Sequence, residues 1–458
     1  MQSSCSLKKN IWKNYVSYLI PTVIGMVTYS LYCLADVLFV SLGVGSNGLA
    51  ALNISLPIFT IYSALALLIG VGTSITIGVC KGQGLHEASN KLLTMALLTI
   101  ALLGSFFTLI SVLFTEQLAL ILGADPIILK EVIAYLKPVS WGVLFYMLSG
   151  ALTVIVRGDG NPNLVMVAGV VGNVVNIVLD YVFVMPMGLG TFGAGLATAI
   201  GFTISMVILL FHFVLKKNTV HFTKYFWDLS LYNRMLKNGV GASILEISTG
   251  VTIFLINLAL MEVSGATAVA IFSVISNISF IAKGLFGGMA QASQPIISLN
   301  YGLKDFKIVH IAYQFAMWVA GGSGLLAFLL LALFSKPIIE GLVSSEPAVV
   351  SQGMKAIHLY FIAFAFTGFN TVLMYYFQSI ERSFYSSVMS FLRGIGLIFI
   401  LLLILPRYLG EAGIWLVLPV TEIITFIIFI TLKTFLHFPL HCTYQKLISF
   451  AHNHSAKS

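Results

Sequence analysis

Apolar runs of about twenty residues or more dominate the chain, and short polar stretches separate them. A helix crosses a bilayer with about 20 mostly apolar residues. Twelve segments meet that need: 15–41, 50–79, 91–114, 132–154, 163–185, 193–215, 238–260, 268–299, 309–334, 354–378, 383–405 and 413–435. Barrel strands would show short alternating segments instead. The expected fold class is all-α, an integral membrane protein with twelve transmembrane helices.

The polar stretches carry the organisation. The longest, "KKNTVHFTKYFWDLSLYNRMLKNG" at 216–239, falls near the middle and leaves six segments on each side. Short motifs recur in order at an offset of about 220 residues, as a duplicated transporter would show. "LGADP" (122–126) answers "VSSEP" (343–347), "GAGLAT" (193–198) answers "EAGIWL" (411–416), and "CKGQG" (80–84) answers "NYGLK" (300–304). Six spans return the chain to its starting side, so the halves form a parallel repeat related by a pseudo-twofold axis along the membrane normal. The predicted layout is an N-terminal lobe over 1–215, a cytoplasmic linker over 216–237, a C-terminal lobe over 238–436 and a cytoplasmic tail over 437–458. Transporters built this way handle substrate between their halves.

Composition agrees with a membrane protein. Of 458 residues, 59% are hydrophobic and only 9% charged, against about 25% charged in soluble domains. No small-residue cleavage site follows the first apolar run, so helix 1 is expected to be retained. The net charge of +8 raises nucleic acid as a partner, and the distribution argues against it. Of the 24 Lys and Arg residues, Lys130, Lys137, Lys336, Lys355 and Arg407 belong to the odd-numbered connections, and Lys283 and Arg393 lie inside predicted helices. The other 17 fall at the N-terminus, the even-numbered connections and the C-terminal tail. Basic residues collect on the cytoplasmic side, which places both termini there. The four cysteines, Cys5, Cys33, Cys80 and Cys442, show no paired spacing for a disulfide or metal framework. "GVGASI" (239–244) lacks the strand that precedes a dinucleotide loop, and "HEASN" (86–90) lacks a second His for zinc. The chain is not expected to be an enzyme.

Ionisable groups within hydrocarbon are costly and mark function or pairing. The acids are Asp36, Asp180, Glu246 and Glu422; the bases are Lys283 and Arg393. In "GNVVNIVLDYVFV" (172–184), Asn173, Asn176 and Asp180 share one helix face. Asp36 and Asp180 each lie five residues before the predicted outer ends of their helices at 41 and 185. Thr198 lies five residues into the helix that returns from that surface at 193. Three helices thus bring oxygen-bearing side chains to one level. Two neighbouring carboxylates in low dielectric share a proton or a cation. The cluster is either an H⁺ or Na⁺ coupling site or a polar knot joining helices 1, 5 and 6. Arg393 is expected to form a structural ion pair with an acid, either Glu422 or Glu246. Glu246 otherwise serves as a second coupling or substrate site. Lys283 sits near mid-membrane with no evident partner. Tyr32, one turn from Asp36, is a candidate to contact a flat cationic substrate, and Asn173 is a further cavity candidate.

These features resemble the multidrug and toxic compound extrusion (MATE) exporters over essentially the whole chain. The resemblance rests on Pro21 followed by Asp36 in helix 1, "GNVVNIVLDYVF" in helix 5, "GAGLAT" opening helix 6 and "QPIISLNYG" (294–302) closing helix 8. The last is similar to the bacterial branch that includes the Staphylococcus multidrug exporters. The resemblance implies two six-helix lobes in a V around a cavity that opens alternately to each side. It implies a secondary active multidrug antiporter, a monomer in the bacterial cell membrane, expelling small cationic or amphipathic drugs in exchange for H⁺ or Na⁺ and using no other cofactor. It assigns the cation site, a possible Na⁺ site, to Asp36, Asn176, Asp180 and Thr198, and a bend of helix 1 to Pro21. Glu246 resembles a glutamate of the Na⁺-coupled branch. That branch also carries an aspartate in helix 10, where "FIAFAFTGFNTVLMYYFQ" (361–378) has no acid and offers only Thr367 and Asn370 nearby. The weight therefore falls on the N-terminal lobe. The alternative is a lipid-linked oligosaccharide flippase of the same superfamily, which needs a basic cavity for pyrophosphate; Lys283 and Arg393 are the available bases. A major-facilitator carrier would show an Asp-Arg-Gly-Arg-like motif, and "KGQGLHEASNK" (81–91) lacks it.

Overall fold

A computed structural model describes the backbone from residue 4 to residue 455 and the side chains from 6 to 435. The tail expected over 437–458, with Cys442, and Cys5 at the other end lie outside the residues whose side chains are described. Among the described residues every regular element is helical. The first half holds α1 (Ser4–Gly43), α2 (Ser46–Gly82), α3 (His86–Leu113), α4 (Thr115–Ile121), α5 (Leu129–Gly158), α6 (Pro162–Val184) and α7 (Gly190–Val214). The second holds α8 (Leu229–Gly302), α9 (Phe306–Leu333), α10 (Ser335–Leu342), α11 (Pro347–Phe361), α12 (Phe364–Ser379), α13 (Ser383–Phe391), α14 (Leu397–Leu409) and α15 (Glu411–Ser455).

Eleven helical segments among the described residues are long and apolar enough to cross a membrane. One of them, α8, has 74 residues, about 110 Å of helix against a hydrocarbon core of about 30 Å. Gly265 interrupts it with φ 73° and ψ −166°, a backbone conformation that a Cβ would strain. The break leaves arms over 229–264 and 266–302, where the sequence predicted separate spans at 238–260 and 268–299.

Several boundaries differ from expectation. Helix α8 begins at Leu229, inside the linker expected over 216–237. Asp228 caps it, its carboxylate accepting from the backbone N–H groups of Ser230 (3.0 Å) and Leu231 (3.1 Å). The span expected over 354–378 is broken between α11 and α12, and it starts earlier, at Pro347. The span expected over 383–405 contains a π turn at Leu392–Gly396, between α13 and α14. A π turn adds a residue and loosens the backbone bonds; here the Gly394 carbonyl accepts from the Thr252 hydroxyl at 2.7 Å. Through Pro21, α1 stays helical.

Within the first half, α5 packs on α7 and α2, and α6 on α7 and α1. Gly172 and Gly201 let α6 and α7 approach closely: a Cβ on either would lie 2.8–2.9 Å from the other's carbonyl oxygen. In the second half α12 packs against α8 and α9. The halves meet along α2 and α8, with Gly72 against Met235, Gly239 against Leu68, and Gly82 against Leu299 and Gly302, backbone to backbone. A polar knot ties the linker to that same end. The Asp159 carboxylate, just past α5, meets Lys81, Thr219 and the His212 ring (2.8 Å). Burial alone would push this carboxyl up, but the bonds from His212, Lys81 and Thr219 outweigh it and leave it at about 2. Outward faces carry large apolar residues such as Leu102, Trp141, Val214 and Leu333, as lipid contact requires.

Candidate cation and substrate site

Three helices supply the polar cluster. Asp36 comes from α1, Asn176 and Asp180 from α6, and Thr198 from α7; all four are buried, Asp180 completely. On α6, Gly172, Asn176 and Asp180 form the buried stripe at four-residue spacing. The sequence thus places these polar groups on the face turned into the protein.

The Asn176 amide donates to the Thr198 hydroxyl at 3.4 Å. Tyr135, from α5, lies beside Thr198 and in the field of both Asp36 and Asp180. The two carboxylates act on each other. Asp36 Oδ1, Asn176 Oδ1 and both Asp180 oxygens are buried without a hydrogen-bond donor. Each buried acceptor left unpaired costs about 1–3 kcal/mol. Four such acceptors lack positive charge or protons, so the donor set fits a proton or a hard monovalent cation. Among the described residues, no group of three or more His, Cys, Asp or Glu comes together to hold a metal ion.

Tyr32 is buried one turn before Asp36, its ring centroid 5.6 Å from that of Tyr29 and 6.3 Å from that of Phe202. Asn173 is half-buried on α6, and the hydrogen bonds among the described residues do not draw it into the cluster. Pro21 stands fifteen residues before Asp36 on α1, about 22 Å away along the axis.

Glu246 on α8 faces the other half of the chain. Its carboxyl lies beside Ser63 on α2, and Tyr29 and Tyr146 feel its charge. It is not the partner of Arg393. That partner is Glu422, reached by Arg393 Nε at 3.0 Å and Nη2 at 2.9 Å. Asn370 completes the pair by donating to Glu422 Oε2 at 2.6 Å and to its backbone carbonyl at 2.8 Å. The position where an acid was looked for in helix 10 therefore supplies a donor. Sequence reading missed Tyr135 and Ser63. Neither breaks an apolar pattern, since a tyrosine or serine in a span is ordinary packing material.

The family model MatE matches residues 21–182 and 243–404, the two matches starting 222 residues apart. The multidrug export protein MepA of Staphylococcus haemolyticus is 25% identical over 383 residues, covering 79% of this chain and 81% of its own. MepA of Staphylococcus saprophyticus is 23% identical over 417 residues, covering 89% and 90%. Among solved structures, a MATE crystal structure in a bent conformation superposes with a TM-score of 0.87 at 25% identity, covering 95% of this chain and 98% of that one. A MOP superfamily transporter from Pyrococcus furiosus superposes with a TM-score of 0.85 at 26% identity, covering 91% and 94%. With one family model matched on both halves of the chain and the fold shared nearly end to end, the chain belongs to the MatE family of membrane transporters.

Proposed function

We propose that this transporter exports cationic and amphipathic drugs in exchange for H⁺ or Na⁺ bound at Asp36, Asn176, Asp180 and Thr198. The observation that carries the reading is the set of four buried oxygens without donors at the first three of these residues. Export of multiple drugs by the related MepA proteins supports the substrate class.

The architecture proposed is twelve spans in two six-helix lobes, counting the arms of α8 on either side of Gly265 separately. The halves are in contact where Gly82 meets Gly302, the end that the basic residues assign to the cytoplasm. The proposed state therefore opens its cavity to the outside. In this cycle a cation entering at Asp36 and Asp180 neutralises the cluster and removes the charge that retains a cationic drug. Tyr32 and Phe202 offer that drug aromatic faces beside Asp36. Glu246, with its Ser63 contact, is the secondary site between the halves.

The test is ethidium efflux from energised cells expressing wild type or Asp36→Asn at equal membrane abundance. Efflux by wild type and a loss of tenfold or more in the variant is expected; normal efflux by Asp36→Asn would sink the assignment. Repeating the assay with a protonophore, and separately without Na⁺, identifies the coupling ion.

A further inference from the structure

In the first half of the chain, buried carboxylate and amide oxygens lack donors; in the second half, a buried guanidinium nitrogen lacks an acceptor. Arg393 is 8% exposed, and its Nη1 has no hydrogen-bond partner. Its Nε and Nη2 are spent on Glu422, and Nη2 also reaches the Thr371 hydroxyl at 3.3 Å. A second cation stands nearby: the Lys283 ammonium lies in the field of Glu422 and Arg393. Among the described residues, no acceptor is in hydrogen-bond contact with it.

Glu422 is already engaged by other donors, and no hydrogen bond among the described residues joins it to Lys283. One of its oxygens takes both bonds from Arg393, and the other takes Asn370 at 2.6 Å. Two cations and one committed carboxylate leave an excess positive charge. Nor can Lys283 reach the membrane surface. It stands midway along its arm of α8, 18 residues past Gly265 and 19 before Gly302, and the middle of a hydrocarbon core about 30 Å thick lies about 15 Å from either face, beyond the reach of a lysine side chain. An unpaired charge at that depth faces a wet cavity rather than lipid.

The surface beside it is open. A Cβ on Gly284 would meet nothing within 4 Å, and one on Gly287 only the Gln291 amide at 3.9 Å. One turn away, the Phe280 ring lies 6.2 Å from that of Tyr29 on α1, across the space between the halves.

We propose that Lys283 and the free Nη1 of Arg393 form an anion subsite that takes the carboxylate of a flat amphipathic substrate. The inference rests on the export reading above and narrows it. The preferred compounds carry a carboxylate besides their cationic group, the cation drawn to the acidic half and the carboxylate to the basic one.

The test uses purified full-length protein in detergent and two dyes, a rhodamine with a free carboxylate and its methyl ester, with binding followed by fluorescence anisotropy. A charge-assisted bond predicts that wild type prefers the acid about tenfold. Lys283→Gln should erase that preference, and Lys283→Arg should keep it. The same preference in Lys283→Gln, or none in wild type, overturns the subsite; the wild-type ratio decides even where Lys283→Gln fails to fold. Added phosphatidylglycerol that abolishes the preference, where phosphatidylcholine does not, assigns the site to lipid phosphate and also overturns it. Wild type that binds neither dye instead overturns the export reading beneath it.

Discussion

Arg234 and Glu381, 147 residues apart in the chain, are joined by two parallel bonds of 2.7 Å, Nε to Oε1 and Nη2 to Oε2. The pair holds a wider network against α2. Asn238 donates to Glu381 at 2.9 Å and to Thr76 of α2 at 3.0 Å, and Arg234 Nη1 lies 3.6 Å from the Cys80 sulfur. Glu381 adopts φ 55°, a conformation uncommon outside glycine. The carboxylate thus fixes the side chains through which the second half grips the first.

Removing that carboxylate should loosen the grip. Glu381→Gln exchanges a bidentate ionic pair for a neutral amide, a loss of about 1.5–3 kcal/mol. The population with the halves apart at this end should rise tenfold or more, read from distances between spin labels on the two halves. Arg234→Gln should act alike, and the double variant should be no worse than the worse single one. Distance distributions identical to wild type would remove the pair from any gating role.

The glycines of the same seam make a second prediction. A Cβ on Gly239 would run into the Leu68 carbonyl, and one on Gly72 into the Met235 carbonyl. Backbone cannot swing aside as a side chain can, so Gly72→Ala and Gly239→Ala should keep the halves from closing. Efflux should fall severalfold at unchanged membrane abundance. Gly322→Ala is the control, since nothing lies within 4 Å of its added Cβ. Equal efflux in all three variants would show that the seam tolerates a methyl group.

The gathering of the polar cluster was legible in the sequence because helical rise is regular. Counting residues from the predicted ends brings Asp36, Asp180 and Thr198 to one level without knowledge of contacts. Tyr135 was not legible, because its polar tip sits on an otherwise apolar helix and only packing reveals its partner. The pairing of Arg393 was legible as a need for an acid; the choice of Glu422 over Glu246 depended on rotations that spacing does not fix. Arg234 and Glu381 escaped notice because charges in polar connections read first as topology. The π turn at Leu392–Gly396 and the break between α11 and α12 arise from tertiary packing, which local pattern does not encode.

Buried pairs behave asymmetrically, which makes Arg393 and Glu422 testable. Glu422→Gln leaves a buried guanidinium without its counter-charge and should destabilise the protein by about 3–5 kcal/mol. The double variant Arg393→Met/Glu422→Leu removes both charges and should recover most of that loss. Thermal unfolding in detergent reads both effects. Additive losses in the double variant would mean that the two side chains contribute independently.

The last prediction concerns acid. Asp159 is 8% exposed, and its carboxyl is held at about 2, below the ordinary 3.8. A depressed folded-state value means that the ionised carboxylate is favoured by folding. Its contribution is present in full above about pH 4 and is lost as pH falls towards 2. The difference amounts to about 2 kcal/mol. Asp159→Asn should therefore lower the unfolding temperature at neutral pH by releasing Lys81, His212 and Thr219, the groups that pin the linker to α2 and α7. The gap between variant and wild type should stay constant down to about pH 4 and close below it. A gap unchanged by acid would assign the loss to the amide's altered shape rather than to charge.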